Sequence, residues 1–73
     1  MDGKAIRAVI GRNIRQRRQE SGISETALAF YLGIMPKQLQ EYENGDDSPA
    51  CDELTQIARV LECSVDDLCS GGS

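Results

Sequence analysis

Aliphatic residues recur at helical spacing in several short segments of this chain, and no segment shows the period of two that a strand requires. Ile6, Ile10 and Ile14 mark the apolar face of the first segment, which covers about residues 4–21. A chain of 73 residues with one Phe, two Tyr and no Trp must build its core mainly from such aliphatic side chains. The pattern therefore predicts an all-α fold, a compact bundle of five short helices.

Residues typical of helix ends separate the apolar segments. Ser24 is expected to cap the second helix, and Gly33 is expected to end it. Pro36 favours the first position of a third helix, which Asn44 and Gly45 would end. These signals predict two short helices separated by a tight turn.

The beginning of the fourth helix is left open by the sequence. Ser48 followed by Pro49 is one candidate cap, and Ala50, which has no side-chain oxygen, is the other. Ser64 and Asp67 resemble a capping box that opens a short fifth helix. We expect the helical domain to cover residues 1–69 and residues 70–73 to form a flexible tail.

The charges are unevenly distributed along the chain. The net charge is −4, yet six of the eight basic residues lie within residues 4–18, and acidic residues dominate after Gly45. This balance argues against indiscriminate nucleic-acid binding. The sequence contains neither an apolar run of about 20 residues nor the apolar core of a signal peptide, so we expect a cytoplasmic protein with no membrane partner.

The cysteines do not have the spacing of a metal site. Cys51, Cys63 and Cys69 contain no close pair, and the sequence has no His. We interpret all three as small hydrophobic residues in a reducing compartment. Without a Cys–His pair or a Gly-rich phosphate loop, we expect no enzyme activity, no cofactor, no metal and no small-molecule substrate.

Three stretches together resemble the Cro and phage-repressor-like helix-turn-helix family. Residues 23–34 are similar to its second helix and tight turn, residues 39–45 to the end of its recognition helix, and residues 54–68 to its last two helices. The resemblance implies a sequence-specific DNA-binding transcriptional regulator that places helix 3 in the major groove of double-stranded DNA. Such regulators commonly bind two half-sites as dimers, so a homodimer is a further expectation.

The resemblance also implies which residues meet DNA. Lys37 suits guanine, Gln38 suits an adenine edge, and Glu41 suits cytosine N4. The full set of expected DNA-binding residues is Ser24, Glu25, Pro36, Lys37, Gln38, Gln40, Glu41 and Asn44. Arg18 and Glu43 match positions that are often joined in the family, which predicts an ion pair between helices 1 and 3.

Several residues depart from the family pattern. Glu25 stands where a Gln usually contacts phosphate, and Asp46 and Asp47 replace basic residues common after helix 3. These carboxylates would repel the DNA backbone and weaken binding. Met35 lacks the usual cap oxygen, and Glu62 stands where a Gly commonly ends helix 4.

An alternative function follows from helix 2. Phe30 and Tyr31 occupy positions that are usually charged, so they are a candidate partner surface. Cover by the N-terminal segment, through Ile6 and Val9, or by the partner in a homodimer is an equally simple interpretation. If the aromatic pair is exposed, the chain could be a protein-interaction module on a helix-turn-helix scaffold with little DNA affinity.

Overall fold

Five α-helices make up most of residues 3–70, the part of the chain that the computed structural model describes. They are α1 (Gly3–Glu20), α2 (Glu25–Leu32), α3 (Pro36–Asn44), α4 (Cys51–Val60) and α5 (Val65–Cys69). This arrangement confirms the predicted all-α bundle of five helices. Of the predicted tail only Ser70 is described, and residues 71–73 lie outside the described part.

One large apolar side chain from each helix is fully buried. These residues are Ile14, Leu28, Leu39, Ile57 and Leu68, in chain order from α1 to α5. Burying an aliphatic side chain of this size contributes about 1.5–3 kcal/mol. The shared core therefore fixes the positions of all five helices relative to one another.

The helix ends mostly follow the signals in the sequence. The Ser24 Oγ accepts a hydrogen bond from the Ala27 N–H at 3.0 Å, and Gly33 ends α2 with φ 71°. The Ser64 hydroxyl and the Asp67 carboxylate each accept the other residue's backbone N–H at 3.0 Å. These contacts confirm the predicted caps of α2 and α5.

Two less regular ends are also explained. Of the two candidates for the start of α4, the N-cap is Ala50, whose N–H donates to Glu53 Oε1 at 3.3 Å. This contact satisfies the N–H of the cap residue itself, while the first-turn N–H of Glu53, which alanine cannot accept, donates to the Asp52 Oδ1 at 3.0 Å. Glu62 follows α4 with φ 57°, the left-handed backbone expected where a Gly is usual.

Two interpretations of the sequence need correction. The apolar face of α1 does not reach its first turns, because Ile6 is 42% exposed and does not cover the aromatic pair of α2. Cys63 packs against the core, and burial raises the pKa of its thiol. Cys51 and Cys69 are exposed at the beginning of α4 and the end of α5, so the assignment of small hydrophobic residues is wrong for them.

Within residues 3–70, no helix combines the length and apolar character needed to span a bilayer.

Candidate nucleic-acid interface

The backbone of α3 packs directly on α1. A Cβ added to Gly11 would lie 2.2 Å from the Tyr42 carbonyl oxygen and 2.7 Å from that of Glu43. Gly45, which ends α3 with φ 80°, would bring a Cβ within 3.0 Å of the Ala8 Cα. The C-terminal part of α3 therefore approaches α1 at a distance that only glycine permits at these positions.

A buried ion pair joins the same two helices. The Arg18 Nε donates to Glu43 Oε2 at 2.7 Å and its Nη2 donates to Glu43 Oε1 at 3.2 Å. Arg18 also donates to the Ile23 carbonyl at 3.0 Å, so one guanidinium joins α1, α3 and the segment before α2. The hydrogen bond to Glu43, opposed by desolvation, raises the pKa of Arg18. This bidentate geometry sets the orientation of α3.

The turn between α2 and α3 is closed by backbone contacts. The Ile34 N–H donates to the Ala29 carbonyl at 3.0 Å across Gly33. Ala29 is buried, and its small side chain leaves room for the two helices to approach each other. With α1 on one side and α2 beside it, α3 has one side that remains open to solvent.

Five residues expected to read bases lie on this open side, which we call the exposed α3 face. They are Pro36, Lys37, Gln38, Gln40 and Glu41, of which Lys37 and Gln40 are exposed and the others half-buried. A shallow groove beside this face is lined by Gly33, Ile34, Met35, Lys37, Gln38 and Glu41. Polar hydrogen-bonding side chains are thus grouped on one side of a helix.

The residues expected to contact the DNA backbone lie at two helix ends. Ser24 is exposed as the cap of α2, with the half-buried Glu25 following it. Asn44 is exposed at the end of α3, where its Oδ1 accepts from the Arg15 Nη2 at 2.7 Å. Because a guanidinium can only donate, the amide oxygen of Asn44 faces Arg15 and its NH₂ group points away.

The sequence did not reveal one contact on the exposed α3 face. The Gln38 Nε2 donates to Asp47 Oδ2 at 2.9 Å, and Asp47 Oδ1 accepts from the Ser48 N–H at 2.8 Å. From the sequence, Asp47 is expected only to repel the DNA backbone. Its bond to Gln38 spans nine positions and depends on the path of the turn, so helical spacing could not have revealed it.

The aromatic pair of α2 is exposed. Phe30 is 80% and Tyr31 63% exposed, and their ring centroids lie 6.1 Å apart in an edge-to-face arrangement. Met35, in the turn before α3, is 73% exposed. The α2–α3 unit therefore presents apolar side chains in addition to the polar exposed α3 face.

Comparisons with known proteins agree with this geometry. Residues 14–68 match a family model described as helix-turn-helix. An uncharacterized helix-turn-helix-type transcriptional regulator of Sinorhizobium fredii is 38% identical over 58 residues, which are 80% of this chain and 41% of that regulator. The chain thus spans about two fifths of the length of this curated relative.

Solved structures with the same fold have different functions. The c2 repressor of Salmonella phage P22, in complex with a synthetic operator, has a TM-score of 0.81 and 28% identity over 88% of this chain and 97% of that chain. The hydroxypropylphosphonic acid epoxidase from S. wedmorenis has a TM-score of 0.85 and 28% identity over 90% of this chain but 35% of that chain. The fold therefore occurs both in an operator-bound repressor and as a minor part of an enzyme, and function must be argued from the exposed residues.

Proposed function

This chain belongs to the helix-turn-helix family, and from that premise we propose that it is a sequence-specific DNA-binding transcriptional regulator. The proposal rests on the way in which α3 is held against the rest of the fold. One side is fixed to α1 by Gly11 and the Arg18–Glu43 pair, while the other presents polar side chains to solvent. A helix held in this way can enter a major groove without losing its orientation.

The exposed α3 face carries the chemistry of base reading. Lys37 can donate to guanine O6 and N7, Gln38 can pair with adenine, and Glu41 can accept from cytosine N4. Pro36 offers an apolar surface to a thymine methyl group, and Gln40 can reach either a base or the backbone. These residues would select the sequence rather than supply most of the affinity.

Contacts to phosphate are assigned to the two ends of the α2–α3 unit. Ser24 and the main-chain amides at the start of α2 form a helix N-terminus, which favours phosphate. Asn44 directs its NH₂ group away from Arg15 and can donate it to a second phosphate. These contacts would position the domain along the DNA backbone.

Acidic residues near this surface would limit the affinity. Glu25 lies at the start of α2, and Asp46 and Asp47 follow Gly45, the residue that ends α3. We propose weak, salt-sensitive binding by one copy, which a homodimer on two half-sites would strengthen. Such a regulator would act in the cytoplasm by binding alone, without catalysis.

Fluorescence anisotropy with a pool of random duplex DNA, at low and at physiological salt, tests the proposal. Salt-sensitive binding by the folded protein is expected. Glu25→Gln should tighten binding several-fold on all sequences, because it removes a repulsive charge and adds a donor for phosphate. Asp66→Asn makes the same charge change on the exposed surface of α5, a helix that packs mainly on α1 and α4, and serves as the control.

Two results would contradict the proposal. A folded sample that binds no duplex at low salt would refute DNA binding. Equal effects of Glu25→Gln and Asp66→Asn would show that α2 does not approach phosphate in the proposed manner.

The exposure of Phe30 supports a second candidate, a protein-interaction module with little DNA affinity. An aromatic side chain that is 80% exposed beside a second aromatic ring is typical of a contact surface. Sedimentation at increasing concentration tests self-association through this pair. Association that Phe30→Glu abolishes, in a protein that binds no DNA, would favour this candidate over the regulator.

A further inference from the structure

The carboxylate of Asp47 is held at both oxygens. Its Oδ1 accepts from the Ser48 N–H at 2.8 Å and its Oδ2 accepts from the Gln38 Nε2 at 2.9 Å. The segment that carries Asp47 is itself tied to α3, because the Asp46 N–H donates to the Glu41 carbonyl at 2.9 Å. Gln38, a flexible side chain on the exposed α3 face, is therefore held from the following turn.

This contact determines which groups Gln38 can offer to a base. A glutamine amide has two N–H donors and one carbonyl acceptor. Asp47 can only accept, so it turns the Gln38 nitrogen towards itself and uses one N–H. One N–H and the carbonyl oxygen remain, and these match N7 and the N6 amino group of adenine in the major groove.

We infer that Asp47 is a specificity-determining residue that acts through Gln38 and orients its amide to read adenine. The inference rests on the proposed function, since it concerns the same α3 face. It gives the acidic turn a role: Asp47 lowers affinity by repelling phosphate, and it raises selectivity by reducing the freedom of Gln38 before binding. Asp47 contacts no base in this scheme and is a positioning residue.

The orientation requires a carboxylate and not only a polar group. An asparagine at position 47 would have one oxygen for two donors. If that oxygen accepts from the Ser48 N–H, the asparagine NH₂ group faces Gln38 and attracts its carbonyl oxygen. The Gln38 amide would then turn over and present the wrong pattern to adenine.

Adjacent aspartates provide a matched test. Asp47→Asn and Asp46→Asn remove the same charge from neighbouring exposed positions, but within residues 3–70 the Asp46 side chain makes no hydrogen bond or ion pair. The wild type, both variants and Gln38→Ala are used to select bound sequences from a random duplex pool. Gln38→Ala identifies the base position that Gln38 reads, because the preference at that position is lost in this variant. The base preference at the same position is then compared among the other three proteins.

The expected result separates charge from orientation. Wild type and Asp46→Asn should prefer adenine at that position on the order of tenfold, and Asp47→Asn should lose the preference. Both asparagine variants should bind the whole pool more tightly than wild type. An adenine preference in Asp47→Asn equal to that of Asp46→Asn would overturn the inference while leaving DNA binding intact. A wild type that selects no sequence would overturn the proposed function and this inference together.

A measurement on the free protein tests the hydrogen bond between Gln38 and Asp47 in the absence of DNA. The side-chain amide resonances of Gln38 should shift in the nuclear magnetic resonance spectrum of Asp47→Asn and remain in place in Asp46→Asn. Unchanged resonances in Asp47→Asn would show that the carboxylate does not orient Gln38, which would also overturn the inference.

Discussion

The side of α3 that faces α1 and the side that faces solvent differ in how their side chains are held. Towards α1, Glu43 is 1% exposed and bonded to a buried guanidinium, and the backbone of α3 lies against Gly11. Towards solvent, Lys37 and Gln40 are exposed, and Gln38 is held by a single surface carboxylate. One helix thus combines a rigid attachment with an adaptable surface.

This difference shows where the chain can vary without losing its fold. The interface between α1 and α3 fixes the direction of α3, so changes there should lower the free energy of unfolding. The exposed α3 face should contribute little to stability, so Glu41 on this face is compatible with the family fold. Substitutions ranked by their effect on stability test this division.

The largest difference in stability is expected between substitutions of two adjacent arginines, Arg17 and Arg18. Arg18→Gln removes the partner of a buried carboxylate and should lower the free energy of unfolding by about 3–5 kcal/mol. Arg17→Gln breaks only the exposed 3.7 Å pair with Asp67 and should have no measurable effect. Chemical denaturation of both variants measures the contrast. Equal losses would mean that burial of the Arg18–Glu43 pair does not set its contribution.

The next largest difference in stability is expected between substitutions of two glycines in α1. Gly11→Ala should cost about 3 kcal/mol, because the new Cβ meets backbone atoms that no rotamer change can move. Gly3→Ala is the control on the same helix, since its nearest neighbour is the end of the Arg7 side chain at 3.6 Å. It should cause no loss of stability. A tolerated Gly11→Ala, seen as an unchanged denaturation midpoint, would refute the close approach of α1 and α3.

Tyr42, at the inner side of α3, should make stability depend on pH at high pH. Burial and the hydrogen bond to Glu53 raise the pKa of Tyr42 from 10.0 to about 12, so the folded state favours the neutral phenol. The associated stability is complete below the unfolded pKa near 10. It should be lost as pH rises through 12, by on the order of 2–3 kcal/mol.

Denaturation across this range, compared with Tyr42→Phe, measures the effect of the phenol. The variant should lack this part of the loss above pH 10. A pH profile identical to that of the wild type would show that Tyr42 ionises equally in the folded and unfolded states.

The smallest effect on stability is expected on the outer surface of α2. Phe30→Glu should change the free energy of unfolding by less than about 0.5 kcal/mol, because the ring is 80% exposed. Thermal denaturation followed by circular dichroism measures the change. A large destabilisation would show that Phe30 belongs to the core, and the division between the two surfaces would fail.

Local signals predicted much of this fold. Ser24, Gly33 and Ser64 occupy helix ends at which their chemistry acts on the nearest turn, and the apolar spacing correctly predicted that Ile10 and Ile14 of α1 are buried. The start of α4 could not be predicted in the same way. The contact at this helix start depends on Glu53, whose carboxylate accepts hydrogen bonds from the Ala50 N–H and from the Tyr42 hydroxyl.

Long-range contacts account for what the sequence did not show. Nothing in the sequence around Gly11 indicates that the backbone of α3 packs against it. The hydrogen bond between Gln38 and Asp47 likewise depends on the path of the turn after α3. Cys51 and Cys69 were misread because residue type was used without their positions at exposed helix ends. The candidate DNA-binding residues came from the family pattern, and their roles remain predictions.

The shared hydrogen bonds of Glu53 bear on how this sequence can evolve. Its carboxylate serves Tyr42 and Ala50 together, so substitutions at these three positions will not act independently. Replacing Ala50 with serine would add a side-chain oxygen that can accept a first-turn N–H of α4, so the start of the helix would keep a cap contact without Glu53. Loss of Glu53 is therefore more tolerable after that change than before it, and the order in which mutations arise decides which of them natural selection retains.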